Sequence, residues 1–362
     1  MNTHPLRVLV AGCGHMGTSH ARAYHASSAF SIAGLVSRGE ESRGRLSSEF
    51  GDMYPTFGDY EDALRRTQPD AVCISTWPDT HAAYATLALE RGCHVFLEKP
   101  LAATLADAER VIALARKHGR KLMLGYILQH HPSWMRFVTE ARNLGRPLVM
   151  RMNLNQQSSG GEWKTHLQIM QSMPPMVDCG VHYIDVMCRM TRSRPVRVHA
   201  IQARLDDGFG LPDGQCNYGQ LQVVFADGSV GWYEAGWGPM MSRTAFFVKD
   251  VIGPRGSVSI AAERHESSDE VNAHTRTGAL RIHHASLGPD GHFARMDEVI
   301  PTDDEPDHDE LCAREQAFFA KAIREDLDPG EHLEAALYSL QVVLAAEESA
   351  RTGRVITLDN AR

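Results

Sequence analysis

Nowhere does the 362-residue chain hold an apolar run of the about 18 residues that would make a membrane-spanning helix a candidate. It shows no basic-then-apolar leader before its first strand-like segment, so export is not expected and the chain is assigned to the cytoplasm. Blocks of lysine and arginine are missing. The 37 basic residues against 45 acidic ones leave a formal charge of -8, which excludes a nucleic-acid footprint. The seven cysteines are odd in number, scattered and never spaced C-x-x-C, which excludes a disulfide scaffold and fits reduced thiols. None of the 19 histidines falls in an H-E-x-x-H motif, so no metal is expected. Internal repeats and low-complexity tracts are lacking as well. The one dense charge run, Asp303 to Glu310, reads as a solvated acidic loop ahead of a helix.

What remains is ordinary globular material, 43% apolar and 23% charged, with length for two domains. The first is organised around residues 6–17, Leu-Arg-Val-Leu-Val-Ala-Gly-Cys-Gly-His-Met-Gly. There a buried-strand pattern feeds into Gly12, Gly14 and Gly17 and then into helix-forming residues through about Ala26. This is the context of a dinucleotide-binding turn: Gly12 permits the tight turn, Gly14 lets a pyrophosphate approach, and Gly17 lets the helix press on the strand. The helix dipole and first-turn N–H groups then face the phosphates. Compact apolar runs at 30–36, 71–74, 94–97 and 121–125 alternate with helical stretches at 40–50, 80–91 and 105–118. A doubly wound parallel sheet with helices on both faces is therefore expected. Ligands bind beyond the carboxyl ends of such strands, which gathers Ser75, Thr76, Trp77, Glu98 and Lys99 on the rim of the glycine turn. The second strand ends in Ser37 and Arg38, not in a carboxylate. A hydroxyl and a guanidinium accept a 2'-phosphate, so NADP is favoured over NAD, with an Arg38 that merely solvates the loop as the alternative.

Beyond about residue 128 the pattern changes. A helix at 133–142 precedes strands at 148–155, 196–205, 220–225, 229–235, 245–251 and 257–261, joined by close turns. This implies a largely antiparallel sheet with one covered face, the open face being a candidate surface for a homo-oligomer. Residues 263–278 are polar and unpatterned, hence a mobile loop, and helices at about 310–325 and 331–351 end the chain. The expected division is a dinucleotide-binding domain over 1–127 and a substrate-binding and oligomerisation domain over 128–362. In the second, Met176 to Cys188 follows a helical period. Val177, Val181, Ile184 and Cys188 share one stripe, while Asp178, His182 and Asp185 share an adjacent one. An aspartate and a histidine one turn apart suit proton transfer, though taken alone such a pair is more often a structural hydrogen-bonded one. On the rim, Glu98-Lys99-Pro100 offers an ammonium held by the following proline, suited to a developing alkoxide or, equally, to solvent.

Together these signals resemble the glucose-fructose oxidoreductase and inositol dehydrogenase family (Gfo/Idh/MocA) over nearly the whole chain. The matching pieces are Gly12-Cys13-Gly14-His15-Met16-Gly17, Thr76-Trp77-Pro78-Asp79-Thr80-His81, Gly92-Cys93-His94-Val95-Phe96-Leu97-Glu98-Lys99-Pro100, Trp163-Lys164 and Asp178-Cys179-Gly180-Val181-His182-Tyr183-Ile184-Asp185. The resemblance implies an open-faced α/β second domain and NAD(P)-dependent hydride transfer on a hydroxyl or ketone of a sugar, sugar acid or inositol. It implies Lys99, Asp178 and His182 as the catalytic group, with His182 as acid and base. Cofactor contacts are expected from Cys13, His15, Met16 and His81 beside the glycines, Ser37, Arg38 and the rim residues, and the Lys99–Pro100 bond is expected to be cis. Tyr126, His130, Trp163, Lys164 and His166, with Asp178 and His182, are the expected substrate pocket. Two departures bear on that pocket: Met173-Pro174-Pro175 stands where family members usually carry a glycine triplet, and the Tyr126-Ile127-Leu128-Gln129-His130 segment lacks an arginine found in many. Two alternatives stand beside this: a glycosidase that keeps NAD bound and oxidises its substrate transiently, as some relatives do, and a non-enzymatic sensor that binds dinucleotide and sugar and regulates a partner protein. The sensor reading is the weaker, because this chain keeps Lys99 and His182.

Overall fold

The computed structural model describes residues 4–242, 248–261, 275, 277–302 and 305–358. Aliphatic runs without polar interruption become strands covered on both faces. They are β1 (Leu6–Ala11), β2 (Phe30–Val36), β3 (Thr56–Phe57), β4 (Ala71–Ile74), β5 (His94–Leu97) and β6 (Leu122–Leu124), all parallel, in the order β3-β2-β1-β4-β5-β6. Between them run α1 (His15–Ala26), α2 (Glu40–Glu49), α3 (Tyr60–Thr67), α4 (Pro78–Glu90) and α5 (Leu105–Lys117). The strand order reverses between β1 and β4, and the crevice of a doubly wound sheet opens at that switch point. The doubly wound parallel sheet read from the sequence is thus present. β3 and α3 add an edge whose two-residue strand is too short to show a period.

The second sheet is built from β7 (Val149–Gln157), β8 (Pro195–Ala203), β9 (Tyr218–Phe225), β10 (Val230–Gly238), β11 (Lys249–Gly253), β12 (Gly256–Ile260), β13 (Ala279–His284), β14 (Glu298–Pro301) and β15 (Ile356–Thr357). Its order is β14-β13-β12-β11-β7-β10-β9-β8-β15, antiparallel except where β7 and β10 run parallel. Alternating burial along β8, β9 and β12 marks one covered face. The helices α6 (Pro132–Asn143), α7 (Gly160–Ile169), α8 (Pro175–Asp178) and α9 (Gly180–Thr191) pack on this sheet and on each other. On the opposite face Val149, Ile201, Val230, Ile252 and Val299 stand exposed. Of the strand expected over 245–251, residues 249–251 lie in β11, and 243–247 lie outside the described residues. Most of the expected 263–278 loop lies outside them too. The helix expected over Met176–Cys188 is divided at Cys179 into α8 and α9.

Two helices complete the chain, α10 (His308–Arg324) and α11 (Gly330–Thr352). Contacts divide the molecule into a unit of residues 1–130 with 306–337 and a unit of residues 131–305 with 338–362. α10, at the far end of the sequence, therefore packs with the first sheet, against α1. Its Phe319 lies in the core formed by Val8, Val10, Tyr24, Phe30 and Phe96, with ring centroids 6.1 Å from Phe30 and 6.0 Å from Phe96. Glu315, one turn earlier, is 2% exposed and its Oε1 has no hydrogen-bond partner. Burial, and then the nearby Glu98, hold its carboxyl well above the ordinary carboxylate range. Among the described residues no helix is long and apolar enough to cross a membrane.

Two outcomes are expected. Phe319→Ala should cost about 3–5 kcal/mol in denaturant unfolding, since it empties the centre of the first unit. A cost under about 1 kcal/mol would mean that α10 is not part of this core. Glu315 titrates with a raised folded-state pKa, so its contribution is complete below the ordinary carboxylate pKa and is lost as pH rises through the raised value. Between about pH 5 and pH 9, Glu315→Gln should lose less melting temperature than the native protein, and parallel curves would refute a buried protonated carboxyl.

Candidate active site

In the first unit the candidate site grows from the end of β1. Gly12 has φ of 102°, and a Cβ there would sit 2.2 Å from the Ser75 carbonyl oxygen. At Gly17 a Cβ would lie 1.9 Å from the Gly12 carbonyl oxygen, whereas at Gly14 nothing lies within 4 Å. Two glycines are thus required by close backbone contact and the third faces open space. α1 starts just after Gly14 with no side-chain cap and no acidic residue in its first turn. Uncapped N–H groups at the positive end of a helix dipole, with room at Gly14, fit a dinucleotide's pyrophosphate. His15 is exposed and Met16 half-buried beside the opening. The Cys13 side chain turns inward: its thiol contacts the Val36 carbonyl at 3.8 Å and burial pushes its pKa up to about 11, so only its backbone faces the turn.

At the end of β2, Ser37 is half-buried and Arg38 exposed. The Ser37 carbonyl accepts from Arg43, and its hydroxyl lies 3.3 Å from that of Ser42. After β4, Ser75 and Thr76 are half-buried and Trp77 is exposed. Thr80 donates to the Trp77 carbonyl at 2.7 Å, which leaves Thr76 to donate to Thr80 at 2.6 Å. His81, expected to touch the cofactor, is fully buried. Its Nδ1 faces the Pro100 carbonyl at 2.7 Å and its Nε2 the Thr76 carbonyl at 3.1 Å. Burial lowers its pKa, so the ring supports the rim from behind and does not line it.

Glu98 and Lys99 follow β5, and the Lys99–Pro100 bond is cis. The Glu98 carboxylate is nearly buried. It accepts from the Lys99 backbone N–H at 3.1 Å and faces His20 Nε2 at 2.7 Å. A Cβ on Gly125 would lie 2.9 Å from Glu98 Oε1, so the carboxylate occupies the space that a larger residue would take. His20 Nδ1 in turn faces the Gln316 side-chain amide at 3.0 Å. The ligand atoms of His20, Cys312 and Glu315 lie within 4.8 Å of one another, a grouping that no spacing motif reveals. Both His20 nitrogens are already engaged, so neither is open to a cation. Tyr126 is buried with its ring 6.2 Å from His332, and His130 is half-buried with its ring 5.4 Å from Phe318.

In the second unit the candidate residues lie on α8 and α9. Along residues 173–188, Asp178 and His182 are the two half-exposed positions in an otherwise buried run. Val177, Val181, Ile184 and Cys188 are buried as the periodicity requires. Gly180 lets the helix press close, since a Cβ there would already touch Val343 at 3.1 Å and Tyr233 at 3.4 Å. The third member of the polar stripe, Asp185, is buried and pairs with Arg189 at 3.5 Å, apart from Asp178 and His182. The Cys179 thiol contacts Asp178 Oδ2 at 3.7 Å and Gln156 Oε1 at 3.9 Å, and Trp237 Nε1 donates to the same amide oxygen at 2.6 Å. His166 stacks on Trp237 with centroids 4.3 Å apart, and its Nδ1 lies 3.0 Å from Ser158 Oγ. Burial pushes its pKa down to about 4 despite the pull of nearby Asp178, so the ring is neutral. Trp163 is buried and donates to the Phe209 carbonyl at 3.1 Å, while Lys164 is exposed on α7. Sequence reasoning missed Gln156 and Trp237. The available signal was the run of buried amides on β7, Asn153, Asn155 and Gln156, unusual in a central strand.

Comparison with known proteins identifies the family. Residues 6–126 match the family model described as the oxidoreductase family with an NAD-binding Rossmann fold, and residues 134–259 match that of the GFO/IDH/MocA C-terminal domain. The chain is 32% identical over 204 residues to inositol 2-dehydrogenase 1 of Saccharopolyspora erythraea, a match spanning 55% of this chain and 58% of that protein. It is 25% identical over 366 residues to scyllo-inositol 2-dehydrogenase (NAD(+)) of Bacillus subtilis, spanning 98% and 97% of the two chains. The solved aldose-aldose oxidoreductase of Caulobacter crescentus, complexed with glycerol, shares the fold at a TM-score of 0.76 with 20% identity, over 98% of this chain and 100% of that one. Glycine turn, rim lysine, second sheet and both family models converge: the chain belongs to the Gfo/Idh/MocA family of oxidoreductases, with an NAD-binding Rossmann fold at its amino-terminal end.

Proposed function

We propose that the protein is an NAD(P)-dependent dehydrogenase that transfers a hydride between a CH–OH carbon of an inositol, sugar or sugar acid and the nicotinamide. The observation that carries this reading is that Asp178 and His182 reach the surface from a run of buried neighbours, in a chain that also carries Lys99 after β5 of a family Rossmann fold. When bound, the nicotinamide accepts or returns the hydride. His182 takes the hydroxyl proton, because imidazole is the side chain suited to exchanging protons near neutral pH. The Lys99 ammonium stabilises the alkoxide oxygen, and Asp178 balances the charge of the lysine and orients it. Glu98, Thr76 and Trp77 belong to the nicotinamide side of the rim, and the glycine turn holds the pyrophosphate. Neutral His166, the Trp237 ring and the Gln156 amide suit an uncharged polyhydroxylated ligand. The inositol dehydrogenases among the relatives support a cyclitol as the first substrate to try. Ser37 and Arg38 favour NADP over NAD, and the apolar residues exposed on the second sheet support a homo-oligomer.

Lys99→Met and His182→Ala should each lower turnover by at least about 100-fold while cofactor affinity stays nearly intact. The assay follows reduced nicotinamide across a panel of inositols, hexoses and uronates. Unchanged turnover in both variants refutes the site. Native kcat/KM should be higher with NADP than with NAD, and Ser37→Asp should reverse that order. A native preference for NAD removes the reading of Ser37 and Arg38.

A further inference from the structure

We propose that Gln316 is a positioning residue for Glu98: from α10 it fixes the tautomer of His20, which then holds Glu98 as an anion beside Lys99. The inference rests on the reading that Glu98 and Lys99 form the nicotinamide side of the site. It stands on a chain of hydrogen bonds within the first unit. The Tyr24 hydroxyl donates to Gln316 Oε1. Burial pushes the Tyr24 pKa well up, so the phenol keeps its proton and remains a donor. With its oxygen committed to Tyr24, the amide presents Nε2 to His20 Nδ1 at 3.0 Å. An amide N–H only donates, so Nδ1 carries the lone pair and the imidazole proton sits on Nε2. Nε2–H then donates to Glu98 Oε1 at 2.7 Å, while Glu98 Oε2 accepts from the Lys99 backbone N–H at 3.1 Å. Two donors on one buried carboxylate favour its charged form.

The neighbouring residue completes the arrangement. Glu315 is as buried as Gln316, and the Glu98 charge helps keep it neutral, so the pocket carries its negative charge on the carboxylate next to Lys99. The sequence separates Gln316 from His20 by 296 positions, and no motif connects them. Replacing the amide by a carboxylate, as in Gln316→Glu, sets an acceptor against Nδ1 and draws a proton there. Replacing it by a thioether of similar length, Gln316→Met, leaves Nδ1 with no donor.

The test uses the full-length protein labelled with 15N at histidine, together with steady-state kinetics. In the native protein His20 should show the neutral Nε2–H tautomer, and in Gln316→Glu its Nδ1 should become protonated. Turnover should fall about 10- to 100-fold in both Gln316 variants, with substrate KM within about twofold of native, the scale expected when a group beside the reacting centre loses its placement. A native His20 protonated on Nδ1 overturns the proposal even if neither variant folds. So does native turnover in a Gln316→Glu protein whose tautomer has switched. Failure of the underlying reading gives a different result: no hydride transfer by the native protein with any substrate of the panel, the histidine spectrum being unaffected.

Discussion

The fit of α1 against the end of β1 governs the cofactor half. A Cβ at position 17 would nearly coincide with the Gly12 carbonyl oxygen, so only glycine lets the helix lie this close. Once it does, helical spacing aims the other inward residues: His20 one turn on and Tyr24 two turns on share the buried face with Gly17 and Ala21. The same contact that opens the phosphate turn therefore delivers an imidazole to Glu98 and a phenol to Gln316. Phosphate binding and rim geometry are two consequences of one backbone approach.

Dryness decides the protonation states around this helix. Desolvation pushes the Cys73 thiol up to about 12, raises those of Cys13 and Cys312, and lowers His81, so each of these groups is kept uncharged. In such surroundings a carboxylate keeps its charge only where donors are built for it, and Glu98 has them in His20 and the Lys99 backbone. The second unit follows the same rule. His166 is neutral, and Lys249, buried by the Tyr183 ring with its Nζ donating to the Asn153 carbonyl at 3.0 Å, is pushed down to about 7. Beside Asp178 the Cys179 thiol contacts the Gln156 amide, which in turn accepts from the Trp237 indole.

Much of this was legible in the chain because the signals are local. Each of the three glycines has the environment that its place in the turn demands, and the stripe of Val177, Val181, Ile184 and Cys188 is buried as its period requires. The neighbouring polar stripe was legible only in part, because period alone cannot tell that Asp185 is buried and paired with Arg189 while Asp178 and His182 reach the surface. His81 shows the same limit: a polar residue in a motif was read as a contact, and the ring lies buried between two backbone carbonyls. The attachment of α10 to the first sheet was beyond reach, since an amphipathic pattern states that a face is buried and not what covers it. The amides of β7 were visible but unexploited, being unusual only once that strand is known to lie inside a sheet.

The placement of α10 also bears on synthesis. The cofactor half emerges from the ribosome with its glycine turn, its strands and α1 complete, yet Phe319 and Gln316 follow nearly two hundred residues later. At 5–20 residues per second that interval is roughly 10 to 40 s, during which the side of α1 facing α10 is bare. The nascent domain must wait, partly open, for the tail that closes it.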